Sequence, residues 1–228
     1  MSSVRRYVVT IDGAAGTGKT SVAQELAKRL GTDCLDTGAM YRAIAVLAVD
    51  HCIDPTDGQS LAGKVQELGI RFDWKQTPPE IYLGDSNLSN RIRGLDVSSV
   101  VSVVAKQPEV REVLVEQQRR IGREHPLLVT EGRDQGSVVF PDAAVRFFLE
   151  AKIVERTKRR VKQLRESGTK VDDLQVHQDI STRDKIDSSR ADGPLACPNG
   201  AIVIDTSEKS MMDVVDEMEK SVRAFLDT

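Results

Sequence analysis

Apolar residues in this chain fall into two kinds of pattern, short unbroken runs and stripes with helical spacing. The runs Tyr7–Ile11, Leu127–Thr130, Val145–Leu149 and Ala201–Ile204 each have the length and density of a strand covered on both faces, and Asp33–Leu35 is a shorter candidate. Between them lie amphipathic stretches. Thr20–Leu30 carries Val22, Leu26 and Leu30; Pro108–Ile121 carries Val110, Val113, Leu114 and Ile121. Ser210–Leu226 carries Met211, Val214, Val215, Met218, Val222, Phe225 and Leu226. Each stretch presents one apolar stripe. Strands alternating with helices predict an α/β fold, an open parallel sheet of about five strands flanked by helices.

One segment breaks the rhythm. From about Gly69 to Arg93, the runs Ile70–Trp74, Glu80–Leu83 and Asn87–Ile92 are separated by Pro78–Pro79 and Gly84–Asp85, which predicts a small antiparallel β insert. In open α/β sheets ligands bind at the carboxyl ends of the strands, so an insert there would wall a cleft. Neither a repeat nor a low-complexity linker interrupts the chain, and one domain over residues 1–228 is expected, with the insert at about 65–97.

Length and charge narrow the setting without naming a function. The 228 residues are 39% hydrophobic and 29% charged, an ordinary globular balance, and the net charge of −3 offers no broad field for nucleic acid or an anionic membrane. Cys34, Cys52 and Cys197 form no C-x-x-C pair and read as reduced thiols of a cytoplasmic protein. The apolar stretch Tyr7–Ile11 is too short for a signal peptide or a membrane span. His51, His125 and His177 match no metal or triad spacing, and Trp74 reads as packing rather than a stacking platform.

Chemistry enters at GAAGTGKT, Gly13 to Thr20, which fits G-x-x-x-x-G-K-[ST] between a predicted strand and a predicted helix. Glycines let successive backbone N–H groups turn toward an oxyanion, and the helix N-terminus adds partial positive charge. Lys19 can reach β- and γ-phosphates, and the Thr20 hydroxyl can ligate Mg²⁺. A chance match in a chain of this size is on the order of one in a hundred before the strand–helix context is counted. Nucleotide binding follows; what is done with the nucleotide does not.

Phosphoryl transfer between nucleotides brings two polyanions together, so arginines are expected at the carboxyl edge of the sheet. Several arginines fall there. Asp36-Thr37-Gly38-Ala39-Met40-Tyr41-Arg42 leads from the second strand into a helix, and Arg42 suits bidentate phosphate binding. By itself the string is also a capped helix start with a surface arginine. Glu131-Gly132-Arg133-Asp134 follows a strand directly, and its Arg–Asp pair reads either as a salt bridge or as a ligand contact. Arg183, Asp187 and Arg190 are spaced i, i+4 and i+7 and would share one helix face, a pattern that solvated charge runs also give. Arg156, Arg159 and Arg160 lie on a helical stretch that runs into Glu166-Ser167-Gly168-Thr169, which could form a lid over the transferring phosphate or simply an exposed basic helix.

Together the strings IDGAAGTGKT, DTGAMYRA, PEVRE, EGRDQGSVVFPDA, RDKIDSSR and IDTS resemble the bacterial-type cytidylate kinase family of P-loop nucleoside monophosphate kinases, from about Val8 to the C-terminal helix. The resemblance implies a P-loop NTPase fold whose insert is the monophosphate-binding region and whose lid spans about 152–172. It implies transfer of the ATP γ-phosphoryl group to CMP, and to dCMP, with Mg²⁺. Gly13, Ala14, Ala15, Gly16, Thr17, Gly18, Lys19, Thr20 and Ser21 would hold ATP, with Thr20 on the metal. Thr37, Gly38, Tyr41, Arg42 and Arg133 would hold the acceptor phosphate end, and Ser102, Arg111 and Asp134 would read the cytosine. Arg183 and Asp187 would take the ribose hydroxyls, and Arg190 the acceptor phosphate or base edge. Lys19, Arg133, Arg190 and the lid set Arg156, Arg159 and Arg160 would be catalytic. Small nucleotides are the expected partners, with neither nucleic acid nor membrane, and a monomer is expected.

The chain departs from the family pattern at three places. Ala14 replaces a common proline, Gln135 stands where an aliphatic residue is usual, and Lys152-Ile153 replaces a small polar helix start. None removes a charge. A kinase for UMP or another monophosphate and a slow ATP-binding switch are the competing readings. A small-alcohol kinase would not need the arginines, and the N-K-x-D string of a guanine-reading switch is absent.

Overall fold

The first apolar run forms β1 (Tyr7–Gly13), and the stripe after the phosphate loop forms α1 (Lys19–Leu30). Next come β2 (Asp33–Asp36), α2 (Thr37–Asp50), α3 (Gly58–Leu68), β3 (Ile70–Asp73), β4 (Glu80–Leu83) and β5 (Ser86–Asn87). They are followed by α4 (Leu95–Val104), α5 (Pro108–Glu124), β6 (Leu127–Gly132), β7 (Val145–Glu150), α6 (Ile153–Glu166), α7 (Asp173–Ser189), β8 (Ile202–Asp205) and α8 (Met211–Leu226). The computed structural model describes residues 7–166 and 168–227. Ser167, within the expected lid, and the basic residues Arg5 and Arg6 lie outside the described residues.

Five strands stand in the order β2-β6-β1-β7-β8, the parallel sheet expected from the strand–helix alternation. Register is set by pairs such as Ile11 with Phe147 and Phe147 with Ile202. Gly13 ends β1 where no side chain fits, because a Cβ there would come within 2.3 Å of the Leu149 carbonyl oxygen. The glycine therefore lets the chain leave the sheet beside β7 and begin the phosphate loop.

The chain forms two compact units. One runs from Asp33 to Leu128; the other combines Tyr7–Thr32 with the chain from Val129 onward. In the first, α2 supplies a nearly continuous buried face (Ala39, Met40, Ala43, Ile44, Leu47) packed with Leu61, Val97, Val101, Val110 and Leu114. Asp36 starts α2 by accepting the Ala39 N–H at 2.9 Å, and Pro108 starts α5, where its missing N–H costs nothing. In the second unit α8 packs on α1 and β7, and α6 packs on α7 through Val161, Val176 and Ile180.

The three-stranded insert is present in the order β3-β4-β5, antiparallel throughout, but its last strand is shorter than the sequence pattern predicts. After Asn87 the side chains capture the backbone: Asn87 Oδ1 accepts the Ser89 N–H, and Ser89 Oγ accepts the Ile81 N–H. The ladder gives one more bond, from the Leu88 N–H to the Ile81 carbonyl at 2.8 Å, and ends there because Ser89 takes the Ile81 N–H. The chain continues into a single 3₁₀ turn, Arg91–Arg93, with Ile92 buried. Two helices had no counterpart in the sequence pattern. In α4 the run of valines and serines carries strand-like composition, yet Val97, Val101 and Val104 are the buried set, a helical spacing. Trp74 packs edge-on against His125 and beside Phe72, in keeping with its structural reading. Among the described residues no helix is long and apolar enough to cross a membrane.

Candidate active site

The phosphate loop lies between β1 and α1, with Gly16 and Gly18 in the left-handed region (φ 80° and 93°). Side chains hold its carbonyls. Thr17 Oγ1 and Lys19 Nζ both donate to the Ala14 carbonyl, at 3.0 and 2.8 Å, and Arg156 Nη1 donates to the Ala15 carbonyl at 3.1 Å. Lys19 is buried. Loss of water, then the nearby Arg133, pushes its ammonium down to about 7, against the opposing pull of Glu131. A phosphate arriving there would restore the charge that burial disfavours.

Glu131, at the carboxyl end of β6, accepts a 2.6 Å hydrogen bond from Thr20 Oγ1 and is itself buried. Sequence reading quoted this glutamate but gave it no role. Its signal was an acid closing an apolar strand, the position from which P-loop proteins hold the metal together with the loop hydroxyl.

Asp12 was also missed. It is fully buried, and its two carboxylate oxygens accept the N–H groups of Gln135 at 2.8 Å and Gly136 at 2.7 Å. Burial raises its carboxyl to about 6, although both amides pull the other way. The turn pinned in this way carries Arg133 and Asp134 on its leading side. Gln135, one of the departures from the family pattern, finds a polar partner: its Oε1 accepts the Thr130 hydroxyl at 2.9 Å in the core.

Arg133 pairs with Asp187 at 2.9 Å, so the salt bridge open in the sequence reading goes to α7 rather than to Asp134. Burial opposes the Arg133 charge, but Asp187, Glu131 and Asp184 outweigh it and raise its pKa. Arg183 and Arg190 approach Asp187 at 4.0 and 3.9 Å, so the i, i+4, i+7 spacing does place three groups together, with Arg190 just past the end of α7. Burial alone would raise the Asp187 carboxyl; Arg133, Arg190 and Arg183 together bring it below the ordinary value. Arg156, bonded to both the Ala15 carbonyl and Asp184, ties α7 to the phosphate loop, and the charges of Arg133 and Arg183 both help to lower the Lys19 pKa.

The three α6 arginines that the sequence assigned to a lid diverge. Arg156 forms a 2.7 Å ion pair with Asp184 in addition to its bond to the phosphate loop. Arg159 turns to Thr206, just past β8, and Arg160 bonds Gln163 one turn along its own helix.

In the first unit Thr37 and Gly38 form the first turn of α2. Tyr41 Oη accepts from Arg111 Nη1 at 3.2 Å, and Arg42 Nη1 donates to Ser98 Oγ at 3.1 Å. Arg111 is only 1% exposed, an unusual position for a guanidinium. Ser98 was not foreseen; Ser102 stands one helical turn further along the same face of α4.

A glycine loop between the first strand and helix of a parallel sheet, with a buried lysine and a strand-end acid beside it, defines the P-loop nucleotide-binding class. The sequence profile described as cytidylate kinase matches residues 9–224. A cytidylate kinase of Caldanaerobacter subterraneus subsp. tengcongensis is 41% identical over 215 residues, covering 94% of each chain. One from Azotobacter vinelandii is 41% identical over 224 residues and 97% of each chain. The chain belongs to the cytidylate kinase family. Its fold is shared by an uncharacterized protein from Eubacterium ventriosum at a TM-score of 0.52 and 13% identity, covering 96% of this chain and 99% of that one.

Proposed function

We propose that this chain transfers the γ-phosphoryl group of ATP to CMP and dCMP, forming ADP and the cytidine diphosphate. The observation that carries this reading is the set of guanidiniums at Asp187 (Arg133, Arg183 and Arg190), tied to the phosphate loop through Arg156, which bonds both Asp184 of α7 and the Ala15 carbonyl. Two polyanions meeting in line need such a cluster, and an acceptor phosphate, already nucleophilic at neutral pH, needs no general base.

On this reading Gly13 to Ser21 cradle the donor phosphates, and Lys19 follows the group in flight. Thr20 and Glu131, an oxygen pair 2.6 Å apart with one buried carboxylate, suit a hard divalent cation such as Mg²⁺. When bound, that ion would help neutralise the charge of the donor phosphates. Thr37, Gly38, Tyr41, Arg42 and Arg133 hold the acceptor phosphate end, Arg183 and Asp187 its ribose, and Arg190 its phosphate or base edge. Ser102, Arg111 and Asp134 read the base. A carboxylate accepts from the cytosine amine and has nothing to take from the uracil carbonyl, and a site built on such a bond can discriminate by roughly 10⁴-fold. Arg156 and Arg160 belong to a lid over 152–172, and the insert at 65–97 serves the acceptor within one kinase domain.

Initial rates with CMP, dCMP, UMP, AMP and shikimate, each with Mg·ATP, test the assignment. The cytidine nucleotides are expected to lead by at least a hundredfold. A preference for any other acceptor, or almost no turnover with CMP, overturns it.

A further inference from the structure

Thr206 lies in the IDTS string, whose residues have no part in the chemistry above. It directly follows β8 and is 3% exposed. Its hydroxyl has one proton and three neighbours. Arg159 Nη1 lies 3.0 Å away and can only donate; the carbonyl oxygens of Thr17 and Glu150, each 3.1 Å away, can only accept. The Glu150 carbonyl already receives the Thr206 backbone N–H at 2.8 Å. With the guanidinium donating into the hydroxyl oxygen, the proton is directed to Thr17. Arg159 Nη2 also donates to the Thr206 carbonyl, so the fork grips this residue at two points.

Thr17 belongs to the phosphate loop. In a trans peptide the carbonyl of one residue and the N–H of the next point in opposite directions. Holding the Thr17 carbonyl toward Thr206 therefore aims the Gly18 N–H away from it. A left-handed glycine such as Gly18 (φ 93°) has no side chain to fix that plane by itself.

We propose that Thr206 is a positioning residue for the donor nucleotide. Oriented by Arg159, it fixes the Thr17–Gly18 peptide so that the loop is formed before ATP arrives. Arg159, assigned by sequence to the transferring phosphate, acts here through Thr206. The inference rests on the reading of Gly13–Ser21 as the donor cradle, but its test needs no phosphoryl transfer.

Calorimetric titration with Mg·ADP, and separately with CMP, is carried out on the unsubstituted protein, Thr206→Val, Thr206→Ser, Arg159→Leu and the double variant. Loss of one buried charge-assisted bond should weaken Mg·ADP by roughly tenfold in Thr206→Val. Thr206→Ser, which keeps the hydroxyl, should return to within about threefold, and CMP affinity should stay within about twofold in both. Because the two residues act in series, the double variant should bind Mg·ADP no more weakly than the worse single one. Unchanged Mg·ADP affinity in Thr206→Val, equal loss of CMP affinity, or multiplying effects in the double variant would each overturn the proposal. Should Thr206→Val not fold, Thr206→Ala replaces it under the same criteria. Absent Mg·ADP binding in the unsubstituted protein would instead reject the donor-cradle reading.

Discussion

The turns that follow β1 and β6 solve opposite problems of backbone polarity. After β1, side-chain donors occupy the loop's carbonyls: Lys19 and Thr17 take Ala14, Arg156 takes Ala15, and Thr206 takes Thr17. After β6, a side-chain acceptor occupies the amides, with Asp12 taking both Gln135 and Gly136. The first arrangement engages acceptors and so favours a loop that offers N–H groups to an anion. The second engages donors, so in the proposed site a ligand would be met there by the side chains of Arg133 and Asp134 rather than by these amides. Backbone recognition suits a phosphate common to every nucleotide; side-chain recognition suits a base that must be told from its relatives.

The largest effect that bears on this contrast is expected at Lys19. Lys19→Met should lower kcat by about 10³-fold or more, since it removes a charge that follows the transferring group. The same change should stabilise the empty protein. Lys19 titrates near 7 when folded and near 10.5 when unfolded, so between those values the unfolded chain holds more protons and stability rises with pH. Below pH 7 the buried charge costs its full amount, of order a few kcal/mol. The melting temperature of Lys19→Met should therefore exceed that of the unsubstituted protein at pH 6–7 and converge with it toward pH 10.5. A difference independent of pH would show that Lys19 is charged throughout.

A smaller effect is expected from Asp12→Asn. An amide has one acceptor oxygen and presents its NH₂ to the second N–H, so one of Gln135 and Gly136 is left unpaired at a cost of about 1–3 kcal/mol. If the turn after β6 serves the acceptor, kcat/KM for CMP should fall roughly tenfold while KM for ATP changes less. An equal rise in both KM values would break the division between the two turns. The mildest change is Gln135→Leu, which restores an aliphatic residue but leaves the Thr130 hydroxyl unpaired. It should lower stability by about 1 kcal/mol, read by denaturant midpoint, with CMP kinetics unaltered; a shift in KM for CMP would give Gln135 a part in recognition.

The same contrast explains what could be read from residues alone. The loop after β1 was legible because its function needs glycine, lysine and threonine at fixed separations on one continuous segment. The long runs behind β1, β6 and β7 were legible too, since burial on both faces demands unbroken apolar composition. Strand β8 formed where its run predicted, but at the sheet edge with Ile202 and Val203 exposed rather than covered on both faces. Asp12 and Thr206 were not legible, because their roles depend on partners 123 and 189 positions away, and nothing local distinguishes them from a strand-end aspartate or a loop threonine. The last insert strand was overestimated for the reverse reason. Side-chain bonds, from Asn87 to the Ser89 amide and from Ser89 to the Ile81 amide across the hairpin, overrode a β-like composition that the periodicity weighs alone. Spacing placed Arg183, Asp187 and Arg190 on one face, but it could not reveal that Arg133 completes the group.

That group of three guanidiniums around Asp187, with Asp184 held by Arg156, bears on how rapidly the enzyme can cycle. A nucleotide bound there, as proposed, would not meet bare charge; it would compete with resident carboxylates for these cations. The net gain is only the difference between two sets of ionic partners. Binding there would accordingly be weaker than to unpaired guanidiniums, which suits a catalyst that must let go of a product more highly charged than the acceptor it took in.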